Sequence, residues 1–260
     1  MKRRMAPPPS FTIFESFFNG VRLCLAHARL FGVLSFLPFV VTLLTLVALR
    51  VAGPSLGMFW LPVIQLPSSF VIGIEGALIL RFVLMQEYPI LEDSLSKVQR
   101  NRAVLQAATV YAAITYFVTG FYAVLLQIRD FADKNPAAAE PWMPMLLALM
   151  VLILWSARWF WLHVPLALNW PVDAFFARIG RWSGSLRIFL LFALCSILFN
   201  VLAGFLRMVI LAVSGKHPGG FAAAFDDGVV AFATVALAVL FTACTAAAVR
   251  MMMRTRGVTV

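Results

Sequence analysis

The chain has 260 residues, 62% of them hydrophobic and 12% charged, with a net charge of +10 and a mean hydropathy of +0.93. Such usage excludes an ordinary water-soluble domain and points to stretches that cross a bilayer, each needing roughly 20 mainly apolar residues. The positive charge does not indicate nucleic acid, because most Lys and Arg flank apolar stretches and leave no room for a separate basic domain.

In chain order, residues 1–10 form a basic, proline-rich tail with Lys2, Arg3 and Arg4 ahead of Pro7, Pro8 and Pro9. A secretory signal would place its apolar run directly after the basic patch. Here the first spanning stretch starts only near Phe31, so it reads as an uncleaved transmembrane helix over Phe31–Leu49. A turn over Gly53–Pro62 leads to a second span, Val63–Leu84, and the third covers Ala103–Gln127. After a polar loop come the fourth, Met143–Leu168, the fifth, Ile188–Val213, and the sixth, Gly228–Val249. With the N-terminus inside, fourteen Lys and Arg fall on the inner side and four on the outer, Arg50, Arg129, Lys134 and Lys216. This bias predicts that both termini are cytoplasmic.

Helical spacing adds three amphipathic segments before the first, third and fifth spans. The first sets Phe14, Phe17, Phe18, Val21, Cys24, Leu25 and Ala28 against Glu15, Asn19, Arg22 and Arg29. The second sets Leu91, Leu95, Val98 and Leu105 against Asp93, Lys97 and Arg100. The third sets Phe175, Phe176, Ile179, Trp182 and Leu186 against Arg178, Arg181 and Ser185. Each is expected to lie in the membrane plane on the cytoplasmic side, facing anionic lipid, and together they suggest a threefold helix-plus-hairpin repeat. The expected fold is therefore all-α: a polytopic membrane protein of about six transmembrane helices, with residues 11–250 as one domain and 251–260 as a cytoplasmic tail.

Charges inside spans cost about 2.5–3.5 kcal/mol on insertion scales and are candidate functional residues for that reason. Glu75 and Arg158 fall at comparable depth in the second and fourth spans and form a candidate pair. Arg81 and Arg207 lie nearer span ends and are expected to reach headgroups as anchors. Cys24, Cys195 and Cys244 lie far apart without metal-type spacing and read as buried thiols. No P-loop, GxSxG or HExxH pattern occurs, so neither an enzyme, a metal nor a cofactor is expected.

The segment GVRLCLAHARLFGVLSFLPF resembles bacterial six-span proteins of the YciC-like family and the membrane domain attached to some glycerophosphoryl diester phosphodiesterases. The stretch ARWFWLHVPLALNWPVDAFFARIGRWSGSLRIFLLF is similar to the same group. A fainter likeness of the N-terminal stretch is to sulfate permeases of the CysZ type. The main resemblance implies a six-helix domain of the bacterial inner membrane and carries over no catalytic residue. The sequence thus favours an integral membrane protein acting through lipid contacts, a protein partner or a homo-oligomer. The alternative is a small solute transporter or permease subunit using Glu75 and Arg158. Against it, Asn, Gln, Ser and Thr are scarce in the spans.

Overall fold

The computed structural model describes residues 11–52, 60–87, 94–134, 148, 151–152, 154–155, 157–179, 182–214 and 220–254. They form nine α-helices: α1 (Ile13–Ala26), α2 (Ala28–Ala52), α3 (Leu61–Ile64), α4 (Leu66–Met85), α5 (Ser94–Lys134), α6 (His163–Ala167), α7 (Val172–Ile179), α8 (Trp182–Ser214) and α9 (Gly220–Arg254). Of these, α2, α4, α5, α8 and α9 are long and apolar enough to cross a bilayer. The protein is a multi-span membrane protein by that measure. Helix α4 is the central element, with 72% of its most apolar window buried, against 22% for α2, 11% for α5 and 17% for α8. It packs on α2, α5 and α9, and α9 in turn carries α1 and α8. Exposed Leu37, Leu44 and Val51 of α2, Phe117 of α5 and Val201, Phe205 and Met208 of α8 would be untenable in water over so wide a surface and suit lipid.

Proline explains where several helices begin. Pro62 and Pro67 occupy the first turns of α3 and α4, where the missing N–H has no intrahelical acceptor to lose. The fourth expected span departs most from its sequence reading. Much of its N-terminal part, Met143–Met145 included, lies outside the described residues. Its C-terminal part is not one α-helix but a 3₁₀ turn, Ala157–Trp161, followed by α6. There the Leu162 N–H donates to the Trp159 carbonyl at 2.9 Å, and Nδ1 of His163 meets the Phe160 carbonyl at 2.8 Å. With the Phe160 carbonyl taken by a side chain, the α-helix restarts at His163 and holds Pro165 in its first turn. It ends at Asn169, whose φ of 53° is left-handed. The Trp170 N–H returns to the Pro165 carbonyl and the Asn169 N–H to that of Leu166, a Schellman closure that turns the chain into α7.

The three in-plane segments are also corrected. Helix α1 follows α9 antiparallel instead of standing alone: Ser16 lies at Met251 and Gly20 at Cys244. Its broad apolar arc divides between two surroundings. Ser16, Phe17 and Gly20 turn toward α9 and the core, while Phe14, Phe18 and Leu25 stay exposed. The second segment is no separate helix, because α5 runs unbroken for 41 residues, about 60 Å at 1.5 Å per residue. Val98 and Leu105 are exposed on it, as a lipid-facing side would be, and so is Lys97, but Arg100 is buried; Leu91 and the Leu95 side chain lie outside the described residues. In the third, α7 buries Phe175 and Ile179 in the core, and Trp182 and Leu186 belong to α8. The last helix continues to Arg254, past the expected domain end at residue 250.

Gly20 sets how closely α1 approaches α9, since a Cβ there would come within 2.4 Å of the Cys244 sulfur and 2.8 Å of its backbone. Gly20→Leu is expected to lower stability by about 1–3 kcal/mol through overpacking. Gly204→Ala, on a helix face with open space, should be neutral or slightly stabilising. Thermal unfolding of the purified protein in detergent compares the two, and equal effects would reject the close packing.

Candidate functional site

Glu75 sits halfway along α4 and is 3% exposed. Burying a carboxyl there requires a partner, and Ser35 of α2 supplies one by donating its hydroxyl to Oε1. The other oxygen, Oε2, is buried and has no hydrogen-bond partner among the described residues. Tyr111 of α5 lies within electrostatic reach of this carboxyl, and its ring meets His163 edge-on at 5.3 Å.

One to two turns along α4 from Glu75, a cavity of about 340 Å³ opens between α2, α4, α5, α8 and α9. Its lining gathers Thr42 and Thr45 of α2, Gln65, Ser68 and Ser69 at the start of α4, Tyr111 and Thr115 of α5, and Thr234 of α9. The hydroxyls are oriented alike. Thr45 donates to the Val41 carbonyl, Ser68 to Gln65, Thr115 to Tyr111 and Thr234 to Val230, at 2.8–2.9 Å. A hydroxyl has one proton to donate and two lone pairs. Spending the proton on its own helix leaves oxygen acceptors for the cavity. The buried Thr42 hydroxyl has no partner at all among the described residues. Thr119 closes one end by donating to the Gln65 side-chain oxygen at 3.3 Å. The chamber is therefore rich in neutral acceptors, with one carboxyl nearby.

Glu75 and Arg158 are not brought together. Arg158 stands in the 3₁₀ turn, its guanidinium 4.7 Å from the Trp155 ring centroid and 5.3 Å from that of Trp159, a cation–π setting. Arg81 does not extend to headgroups either. It is 5% exposed, forms a two-pronged ion pair with Glu87 at 2.7 and 2.8 Å, and donates to the Ala167 carbonyl at 2.7 Å. That contact fastens the end of α4 to the end of α6. Arg207 pairs with Asp226 at 2.7 Å, and Arg50 with Asp227 at 2.6 Å, joining the far ends of α2, α8 and α9.

Of the residues expected at the lipid interface, Phe14, Phe18, Arg22, Arg29 and Trp182 are exposed, whereas Phe17 is half-buried, Phe175 buried and Arg178 partly covered. Arg181 lies outside the described residues. Sequence reasoning missed the hydroxyl chamber, because its polar members come in ones, twos and threes from four separate helices. The i, i−4 spacing of Ser or Thr to helix carbonyls was the only available signal. It also missed the cysteines: the Cys195 and Cys244 sulfurs are 3.9 Å apart, with Cys24 within electrostatic reach. Among the described residues no group of His, Cys, Asp and Glu is arranged to hold a metal.

Removing Glu87 leaves the Arg81 guanidinium buried without its counter-charge, so Glu87→Gln is expected to cost about 3–5 kcal/mol of stability. Arg158→Gln should cost much less, as no carboxylate among the described residues pairs with its guanidinium. Reversing both Glu75 and Arg158 should rescue neither single reversal, and rescue in unfolding measurements would show that they pair after all.

No protein-family model, curated protein or solved structure matches the chain.

Proposed function

We propose that this membrane protein binds a small monovalent cation in the hydroxyl-lined chamber and passes it across the bilayer, with Glu75 as the counter-charge. The observation that carries the reading is that four chamber hydroxyls spend their protons on their own helices, leaving acceptor oxygens near a buried carboxyl with one oxygen unpartnered among the described residues. Neutral oxygens and one negative charge suit a singly charged ion. Divalent calcium is held by a larger oxygen set that includes carboxylates, and magnesium keeps much of its water. The sequence-level objection to transport was the scarcity of polar residues in the spans. Convergence of those few residues on one chamber removes its force.

On the basic-residue bias, the Glu87 end of the bundle faces the cytoplasm and the Arg50 end faces outward. The chamber then lies in the outer half. The resemblance to six-span inner-membrane proteins supports a bacterial inner-membrane location and a non-enzymatic role. The reading through lipid or protein contacts keeps one specific support, the exposed Phe14 and Phe18 beside Arg22 and Arg29 on the inner side.

Thermal unfolding of the purified protein in sodium, potassium or choline chloride tests the site. A cation that binds only the folded state stabilises it by about 2.7 kcal/mol at a hundred times its Kd. Sodium or potassium should therefore raise Tm above choline in the wild type, and Glu75→Gln and Thr42→Val should each abolish the difference. Equal Tm in all three salts would refute the cation site, and a cation-specific shift without flux into proteoliposomes would refute passage.

A further inference from the structure

A second cavity, of about 580 Å³, lies on the membrane-facing side between α1–α2 and α8–α9, and its lining is almost wholly apolar. Small residues, Ala28, Gly32 and Ala236, form its floor, and Phe36 and Phe232 stand at its rim, 70% and 60% exposed. Its one hydroxyl, Ser35, is already committed to Glu75. In lipid such a groove is filled by hydrocarbon, since it offers nothing to water. Two exposed arginines adjoin its α1–α2 end in sequence: Arg22 follows the groove residue Val21, and Arg29 follows Ala28. Arg22 also lines, with Glu15, Asn19 and Arg250, a smaller cavity of about 310 Å³ beside α1. The acidic side chain on that side of α1, Glu15, lies two turns before Arg22 and accepts a hydrogen bond from Thr12 at 2.9 Å.

We propose that this groove is a binding site for an anionic glycerophospholipid, with one acyl chain between α2 and α9 and the phosphate against Arg22 and Arg29. The charge complementarity selects a lipid over an apolar protein segment: a hydrophobic groove whose residues Val21 and Ala28 are each followed by an exposed arginine matches a molecule with a hydrocarbon chain and an anionic head. The site is independent of the cation chamber, with which it shares no lining residue, and touches Glu75 only through Ser35. Its acyl chain would cover the Ser35–Glu75 contact on the membrane side.

The test is native mass spectrometry of the full-length protein, stripped of lipid in detergent and offered equal amounts of phosphatidylglycerol and phosphatidylcholine with identical acyl chains. One phosphatidylglycerol should be retained in preference. The double variant Arg22→Gln, Arg29→Gln should lower its retention about tenfold or more, the scale set by losing two basic side chains near an anionic head. Gly32→Leu fills open space and should expel lipids of both kinds. A phosphatidylglycerol carrying a photoreactive group on its acyl chain should label wild-type protein at Phe36, Leu198 or Phe232, a readout that needs no variant. Retention unchanged in Gly32→Leu, labelling confined to other surfaces, or a lipid-free dimer labelled at none of these residues would overturn the proposal.

Discussion

Hydrocarbon offers no hydrogen bonds, so every polar group below the surface of this bundle has to find its partner inside the protein. That constraint accounts for the contacts that hold the helices together. At one end Arg81 joins α4 to Glu87 and to the Ala167 carbonyl, and Arg250 of α9 donates to the Val83 carbonyl of α4. At the other, Asp226 and Asp227 at the start of α9 take Arg207 and Arg50. In mid-bundle, where a charge is hardest to accommodate, Ser35 holds Glu75. Seven buried polar atoms among the described residues lack a hydrogen-bond partner, and two of them, Glu75 Oε2 and the cavity-lining Thr42 Oγ1, lie at or near the hydroxyl-lined chamber. A buried acceptor without a donor costs about 1–3 kcal/mol, and two beside one acceptor-lined cavity are the expected signature of a site whose ligand supplies the positive charge.

Close helix approach shapes the chamber and the groove. Gly20 lies on the Cys244 backbone and Gly73 on that of Ala108, so α1 meets α9, and α5 meets α4, nearly backbone to backbone. Ala243, Ala246, Ala247 and Ala248 let α9 share the core with α4. Helices pressed together at these points must part elsewhere, because straight rods carrying side chains of unequal size cannot remain in contact along their whole length. They part where the chamber lies and again where Phe36 and Phe232 flank the apolar groove.

What the sequence revealed follows the same physics. The spans of α2, α4, α5, α8 and α9 were legible because length and hydropathy are properties of a continuous segment. Orientation was readable because basic residues collect beside span ends. Partners were not legible. Arg81 and Glu87 are six residues apart, yet Glu87 falls beyond the end of α4, and only the left-handed Gln86 (φ 58°) turns it back. Glu75 and Arg158 share a depth in hydropathy plots, but the 3₁₀ turn at Ala157–Trp161 places Arg158 over tryptophan rings. The wheel that found the apolar arc of α1 was correct about its residues and silent about its surroundings. A helical wheel cannot tell a face covered by another helix from one covered by lipid, since both are apolar.

Ser35 links the apolar groove to the buried carboxyl, and that position has a consequence. Its side chain forms part of the groove wall while its hydroxyl holds Glu75. The strength of that hydrogen bond depends on the dielectric around it, which a hydrocarbon chain in the groove lowers and water raises. A groove filled by lipid therefore tightens the Ser35–Glu75 contact and keeps the carboxyl fixed beneath the chamber. An emptied groove admits water to Ser35, offers it a competing partner and loosens the carboxyl. Membrane composition would thus act on the buried charge through one hydroxyl, without any rearrangement of the helices.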